Sequence, residues 1–229
     1  MIDERDRDRF YRNILSETLP RLVPVSRHKA GIVGEKFLDL IIEYGMPLKQ
    51  AEPEAGDNIV GWACLTEEFM ENYRIPMKKL RSESMKNLLI KSKAHSFLQV
   101  ANQLGMDLIP EEMEELQNGM APPYLILRVD NDDYGAAAAL DGVLMQMLAT
   151  EFKSDLYVLF SSFYEAMVIP VNAGMPADEI RAMHCFIQEN ELSENERLSD
   201  SIYIYRRENR TISIIGGDPN DPCSHYQYS

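Results

Sequence analysis

The stretch that decides the fold is 124–171, which reads YLILRV (124–129), DNDDYG (130–135), AAAALDGVLMQMLATEFK (136–153), SDLYVLF (154–160), SSFYE (161–165) and AMVIPV (166–171). The first run is short and apolar, which is typical of a buried strand. Apolar residues at helical spacing predict a helix over 136–152, with a buried side formed by Leu140, Leu144, Met147 and Leu148. The apolar runs 156–160 and 165–171 are separated by a short link, so they predict an antiparallel hairpin.

After residue 171, predicted helices and strands continue to alternate. Pro176 and Asp178 are typical of a helix start, and the helix is expected to run to about Leu192. The apolar segments 202–206 and 211–215 flank a polar turn and predict a last hairpin. The order is therefore β-α-β-β-α-β-β, and the predicted fold class is α+β, a sheet with helices covering a face. This sheet domain is assigned to residues 121–216, and the turn-rich residues 217–229 are expected to form a flexible tail.

Residues 1–120 predict a mixed, mainly helical region before the sheet domain. The predicted helices are 3–19, 66–73, 77–95 and a further one starting at 110. The segment 37–44 favours a strand, with a buried helical turn as the alternative, and GMP (45–47) is expected to end it. A clearer strand is predicted at 58–65. The run MAPP (120–123) fits neither a helix nor a sheet, so a domain boundary is predicted there.

Charge is distributed unevenly along the chain. The whole chain carries a formal net charge of -14 and has a sequence pI of about 4.7, which disfavours general nucleic-acid binding. Residues 74–93 hold seven basic residues against Glu83, a local +6, so the remaining chain carries -20. Seven-residue steps place three lysines on one side of the predicted helix, and the candidate partner-binding residues are Lys79, Arg81, Lys86 and Lys93. A solvated helix face and a docking strip for an acidic partner or a nucleic-acid backbone are both compatible with this pattern.

The cellular setting is predicted from what the sequence lacks. No apolar run approaches the roughly 20 residues that span a bilayer, and the charged start is unlike a secretory signal. The three cysteines are widely spaced and form no CxxC motif, which disfavours a disulfide framework and a zinc site. We therefore expect a soluble protein of the cytoplasm with no membrane partner.

Clustered polar residues are the candidates for a metal-binding or catalytic site. The loop 130–133 holds three carboxylates and could bind a hard cation, but it lacks the spacing of a calcium-binding loop, and a turn explains it better. A catalytic site would have to be assembled from distant residues such as Asp132, Asp133, Ser162 and His184. No phosphate-binding glycine motif is present. We therefore predict no catalytic residue, no cofactor and no metal ligand. An enzyme is the alternative.

The chain also resembles a known family in its second half. YLILRV with the following GAA helix start, DLYVLFSSFYEAMVIP (155–170) and LSDSIYIYRRE (198–208) are similar to segments of an uncharacterised family of gut Firmicutes, a domain of unknown function. The resemblance implies an α+β fold and a bacterial, cytoplasmic setting, and it implies no activity. Phe163-Tyr164 stands where that family has an Ile-His pair, so any role of that histidine is absent here. Relatives among mobile-element genes hint at interaction or anti-defence roles.

Three functional hypotheses follow. The first is a non-catalytic protein-binding module, because the surface is strongly polarised and no catalytic motif is evident. The second is an anti-defence inhibitor whose acidic surface mimics nucleic acid, with carboxylates about 7 Å apart along one face. The third is the enzyme with a dispersed site.

Overall fold

The computed structural model describes residues 4–49, 59–96, 99–100, 125–129, 134–216 and 225–228. The helices are α1 (Glu4–Glu17), α2 (Glu67–Tyr73), α3 (Met77–Lys91), α4 (Gly142–Glu151) and α5 (Ala177–Asn190). The strands are β1 (Leu19–Pro24), β2 (Gly34–Phe37), β3 (Leu40–Lys49), β4 (Ile59–Cys64), β5 (Ser92–Ser96), β6 (Leu125–Val129), β7 (Leu156–Leu159), β8 (Ala166–Pro170), β9 (Ile202–Arg206), β10 (Thr211–Ile214) and β11 (His225–Gln227). A 3-10 helix, Gly135–Leu140, precedes α4.

The strands form two antiparallel sheets. The larger sheet has seven strands in the order β11-β10-β9-β7-β8-β6-β5. In the smaller sheet the long strand β3 pairs with β1 along one edge and with β2 and then β4 along the other. The α+β class expected from the sequence is therefore confirmed.

The two faces of the larger sheet are covered by different elements. One face packs with the smaller sheet, the 3-10 helix and α4 into the main core, where the Phe37 ring lies 6.0 Å from Phe160 and 4.9 Å from Tyr226 between ring centroids. The opposite face is covered by α5, whose buried Ile180 packs into a smaller cluster with Leu159 and Ile202. Helix α5 and helix α4 consequently lie on opposite sides of the sheet.

The predicted single helix over 136–152 is interrupted. Its first part is the fully buried 3-10 helix, and α4 starts anew at Asp141, whose carboxylate accepts hydrogen bonds from the Val143 and Leu144 amides at 2.9 and 3.1 Å. The new start changes the rotation of α4. Met147 is therefore 62% exposed, although the helical spacing predicted it to be buried, and Met145 is buried instead.

Two predictions about the N-terminal region are corrected. The predicted helix 77–95 ends at Lys91, and the chain then enters β5, so Lys93 is on a strand and not in line with Lys79 and Lys86. Strand β3 continues through residues 45–47, which were predicted to end it. Proline is tolerated there because β1 stops opposite Gly45, and Pro47 therefore needs a hydrogen-bonding partner on one side alone.

The end of the chain is more ordered than the sequence predicts. Within the expected flexible tail 217–229, strand β11 pairs with β10, and Tyr228 is buried with its hydroxyl donating to the Ala139 carbonyl at 2.7 Å. These residues were mistaken for tail because three residues are too few to show a period. The predicted helix starting at 110 and the predicted boundary at 120–123 lie outside the described residues, and strand β5 before that gap pairs with β6 after it.

Candidate interaction cleft

One side of α3 is buried, and this decides which of its residues face outward. Leu80, Ser84 and Leu88 are fully buried at helical spacing, as the sequence predicts. The basic residues of α3 lie outside this buried side and make different contacts. The Lys79 ammonium lies 3.4 Å from the Tyr11 hydroxyl and 4.8 Å from the centre of its ring, so Lys79 is directed towards α1. Arg81 and Lys86 instead line a neighbouring cleft, although Lys86, seven positions from Lys79, projects from nearly the same side of α3.

The exposed side of α3 borders a cleft of about 430 Å³, which we call the α3–α4 cleft. It lies between α3, the start of α4, and two tyrosines, Tyr226 in β11 and Tyr228 just after it. Its basic residues are Lys78, Arg81 and Lys86. The apolar and aromatic residues of its lining are Met85, Leu89, Leu140, Val143, Tyr226 and Tyr228. Of the four predicted partner-binding residues, the structure brings Arg81 and Lys86 together here, whereas Lys79 and Lys93 are not part of the lining.

A second cleft of about 510 Å³ adjoins the first. The two clefts share Gly142, Val143 and Tyr228, so a bound chain can pass from one to the other across the N-terminus of α4. Met147 and Arg210 line the second cleft. Leu89 of the first cleft, Val143 of both and Met147 of the second expose 50%, 54% and 62% of their surface, and large apolar side chains exposed close together are typical of interaction sites.

The wall made by β11 depends on close packing against α4. A Cβ atom added to Gly142 would lie 2.9 Å from the Cβ and Cδ1 atoms of Tyr228, so glycine is needed for this contact. Burial raises the pKa of the Tyr226 hydroxyl. It raises the pKa of the Tyr228 hydroxyl well above the ordinary tyrosine value, and both hydroxyls are therefore neutral at physiological pH. Sequence reasoning missed β11 and Val143. The three residues of β11 show no usable period, whereas the Asp141-Gly142 pair is a helix-start signal that could have pointed to Val143 in the first turn of α4.

The cations of the cleft are held loosely. Arg81 forms an ion pair with Glu35, with Nε 3.0 Å from Oε1, while more than half of the Arg81 side chain remains exposed. Lys86 contacts Glu83 one turn away at 2.9 Å, again in water. Ion pairs in contact with solvent contribute little to stability, so these cations can exchange partners at small cost.

A buried hydrogen-bond chain surrounds His184 on α5. The Ser199 carbonyl, 2.9 Å away, accepts from Nε2 because a carbonyl can only accept. Nδ1 is then the acceptor for the Ser161 hydroxyl at 3.0 Å. Burial lowers the pKa of His184, and the ring is fully buried and neutral. The geometry is that of a histidine that joins α5 to the sheet, with both nitrogens satisfied.

The enzyme hypothesis placed Ser162 beside His184. The structure pairs His184 with Ser161 instead, and the Ser162 hydroxyl accepts from the Tyr164 amide at 3.2 Å. Asp132 and Asp133, like the rest of the candidate cation loop 130–133, lie outside the described residues. Of the four residues proposed for the enzyme site, the structure describes Ser162 and His184, and these two are paired with other groups.

Another buried polar cluster surrounds Glu43 on β3. Its carboxylate accepts from Arg21 Nε and Nη2 at 3.0 and 2.7 Å and contacts His28 Nδ1 at 2.9 Å. The Arg21 guanidinium lies over the rings of Trp62 and Tyr134 at 5.3 and 5.1 Å. Burial raises the pKa of the neighbouring Cys64 thiol, which keeps it protonated and weakly nucleophilic. Across the described ranges, no group of three acidic, histidine or cysteine side chains is placed to hold a metal ion.

Comparison with known proteins places the chain in a family. A family model described as a family of unknown function (DUF5688) matches residues 29–207. The chain belongs to this family. Neither curated proteins nor solved structures gave a match. In the part of the chain that the structure describes, no helix is both long and apolar enough to cross a membrane. Arg210, Tyr226 and Tyr228 of the two clefts lie beyond the matched residues.

Proposed function

We propose that the protein is a non-catalytic protein-binding module whose partner docks across the α3–α4 cleft and the adjoining second cleft. The observation that carries the proposal is the combination of exposed apolar side chains with cations in one concave surface. Elsewhere in the structure, buried polar groups such as His184 and Glu43 are paired within the fold. In the two clefts, by contrast, Leu89, Val143 and Met147 face solvent.

Charge supports a protein partner over a nucleic acid. The chain carries -14 overall, so a densely charged polyphosphate backbone is repelled at long range. Interfaces between proteins combine an apolar centre with a polar rim, which is the arrangement of Val143 and Leu89 beside Lys86 and Lys78.

Site-specific photo-crosslinking tests this proposal. A photoreactive amino acid replaces Leu89 in the cleft, and the matched control replaces Phe186, which is 59% exposed on α5 across the sheet. In extract of the source organism, we expect the Leu89 probe to give one protein adduct that the Phe186 probe does not give. Adducts must disappear when unlabelled wild-type protein is added in excess. Identical adduct patterns from the two positions would refute docking in the cleft.

A further inference from the structure

We infer that the segment recognised by the cleft is an acidic amphipathic α-helix of the partner protein. This inference rests on the proposed function and adds the chemical class of the occupant. It draws on the length of the cleft, its charge and its apolar floor.

The length fits a helix of several turns. The residues of α3 that line the cleft are Lys78, Arg81, Ser82, Met85, Lys86 and Leu89. They recur at steps of one and three, so they form one continuous exposed side that spans twelve positions and eleven helical rises. At 1.5 Å per residue, this side is about 16 Å long, which corresponds to three turns of a helix lying beside α3.

The charge selects an acidic segment. Lys78 and Arg81 lie one turn apart at one end of this side, and Lys86 lies further along. Arg210 is the cation of the second cleft, where Glu151 also lies, and Asp141 lines the first, so four cations face two acids over the two clefts. A partner helix with carboxylates on the sides of its apolar face would meet these cations, whereas a basic helix would meet repulsion at three places.

The floor offers contacts at helical spacing. Val143 and Met147 are four residues apart on α4 and therefore project from the same side of that helix. Leu89 of α3 lines the same cleft as Val143. Grooves that bind amphipathic helices take apolar anchors at i, i+3 or i+4 and i+7 of the partner. The unbranched side chains of Met85 and Met147 can adapt to different anchor shapes.

Selection from a random peptide library tests the inference. A displayed library of 16-residue random peptides is selected on immobilised wild-type protein. We expect enriched peptides to carry net negative charge and apolar residues at helical spacing, and to gain helical circular dichroism on binding. Fluorescence anisotropy of labelled peptides should show about tenfold weaker binding to Met147→Glu and to Lys86→Glu, and unchanged binding to Arg181→Glu on α5.

The outcomes separate the two proposals. Enriched peptides that are basic, or extended without helical spacing, but still lose binding in Met147→Glu would overturn the acidic helix and leave docking in the cleft intact. A library that yields no binder also overturns the acidic helix, while the crosslinking at Leu89 decides the docking proposal by itself. Peptides that bind Met147→Glu and Lys86→Glu as tightly as the wild type would place the binding site elsewhere and contradict both. Thermal unfolding of each variant, expected within a few degrees of the wild type because the positions are exposed, checks that the fold is retained.

Discussion

The seven-stranded sheet has a satisfied buried polar cluster on one side and exposed apolar side chains lining clefts on the other, while the exposed Phe186 of α5 lines neither of those clefts. Under α5, His184 is fully buried and both of its ring nitrogens have partners. On the other side, beyond the core, Val143 and Met147 of α4 are mostly exposed beside cations. Burying a polar group is unfavourable unless it is hydrogen-bonded, so the first arrangement serves the fold. Exposed apolar groups in a concave surface contribute nothing to the fold, so the second points to binding.

The largest expected effect comes from breaking the buried ion pair of the smaller sheet. Glu43→Ala removes the carboxylate that pairs with Arg21 and His28, and we expect unfolding to become easier by about 3–5 kcal/mol because a shielded cation loses its partner. Glu83→Ala is the matched control, since its pair with Lys86 is exposed and contributes less than about 0.5 kcal/mol. Urea denaturation measures both. Equal costs for the two variants would contradict a structural role for Glu43.

The next effect concerns the histidine under α5. His184→Ala leaves the Ser161 hydroxyl and the Ser199 carbonyl without this partner and creates a cavity, so we expect a loss of roughly 2–3 kcal/mol. Cys185→Ala, one position along and exposed, should change stability by less than about 0.5 kcal/mol. A loss in Cys185→Ala as large as that in His184→Ala would show that α5 is sensitive as a whole.

The same histidine predicts a dependence on pH. Its pKa is lowered in the folded state, so below about pH 6.5, the ordinary value for histidine, the unfolded chain binds the proton more readily. Stability contributed by His184 is therefore complete above that pH and declines as the pH falls. We expect the unfolding free energy of wild type to drop from pH 7.5 to pH 5.5 more steeply than that of His184→Gln. Parallel pH profiles would show that His184 is not responsible.

The smallest expected effect belongs to single cations of the cleft. Lys86→Ala should leave stability within about 0.5 kcal/mol of the wild type, because its ion pair is exposed. Binding of the crosslinked partner should weaken by about threefold at low salt, chiefly through slower association, and the difference should shrink in high salt. Lys36→Ala on β2, also exposed but outside the cleft, should bind as the wild type does. Salt-independent losses in Lys86→Ala would argue against an electrostatic role.

The sequence predicted local elements better than it predicted the cleft. Thr66 was expected to start a helix, and its hydroxyl accepts from the Phe69 amide at 3.1 Å, because capping depends on neighbouring residues alone. The end of α3 at Lys91 was missed, because Ser92–Ser96 becomes a strand by pairing with β6, a contact invisible in local periodicity. The exposure of Met147 was missed because the cap at Asp141 rotates α4. The cleft needs β11 from the end of the chain, and long-range packing of this kind leaves no local signal.

The docking proposal is tested most directly by titration calorimetry with the partner captured at Leu89. The partner is titrated into wild type, Met147→Glu and Phe186→Glu, which alter two similarly exposed apolar residues on opposite sides of the sheet. We predict that Met147→Glu weakens binding by about tenfold or more, because a charge would enter the apolar floor of the second cleft, and that Phe186→Glu has no effect. Unchanged binding by Met147→Glu, or a loss of the same size in Phe186→Glu, would contradict the account.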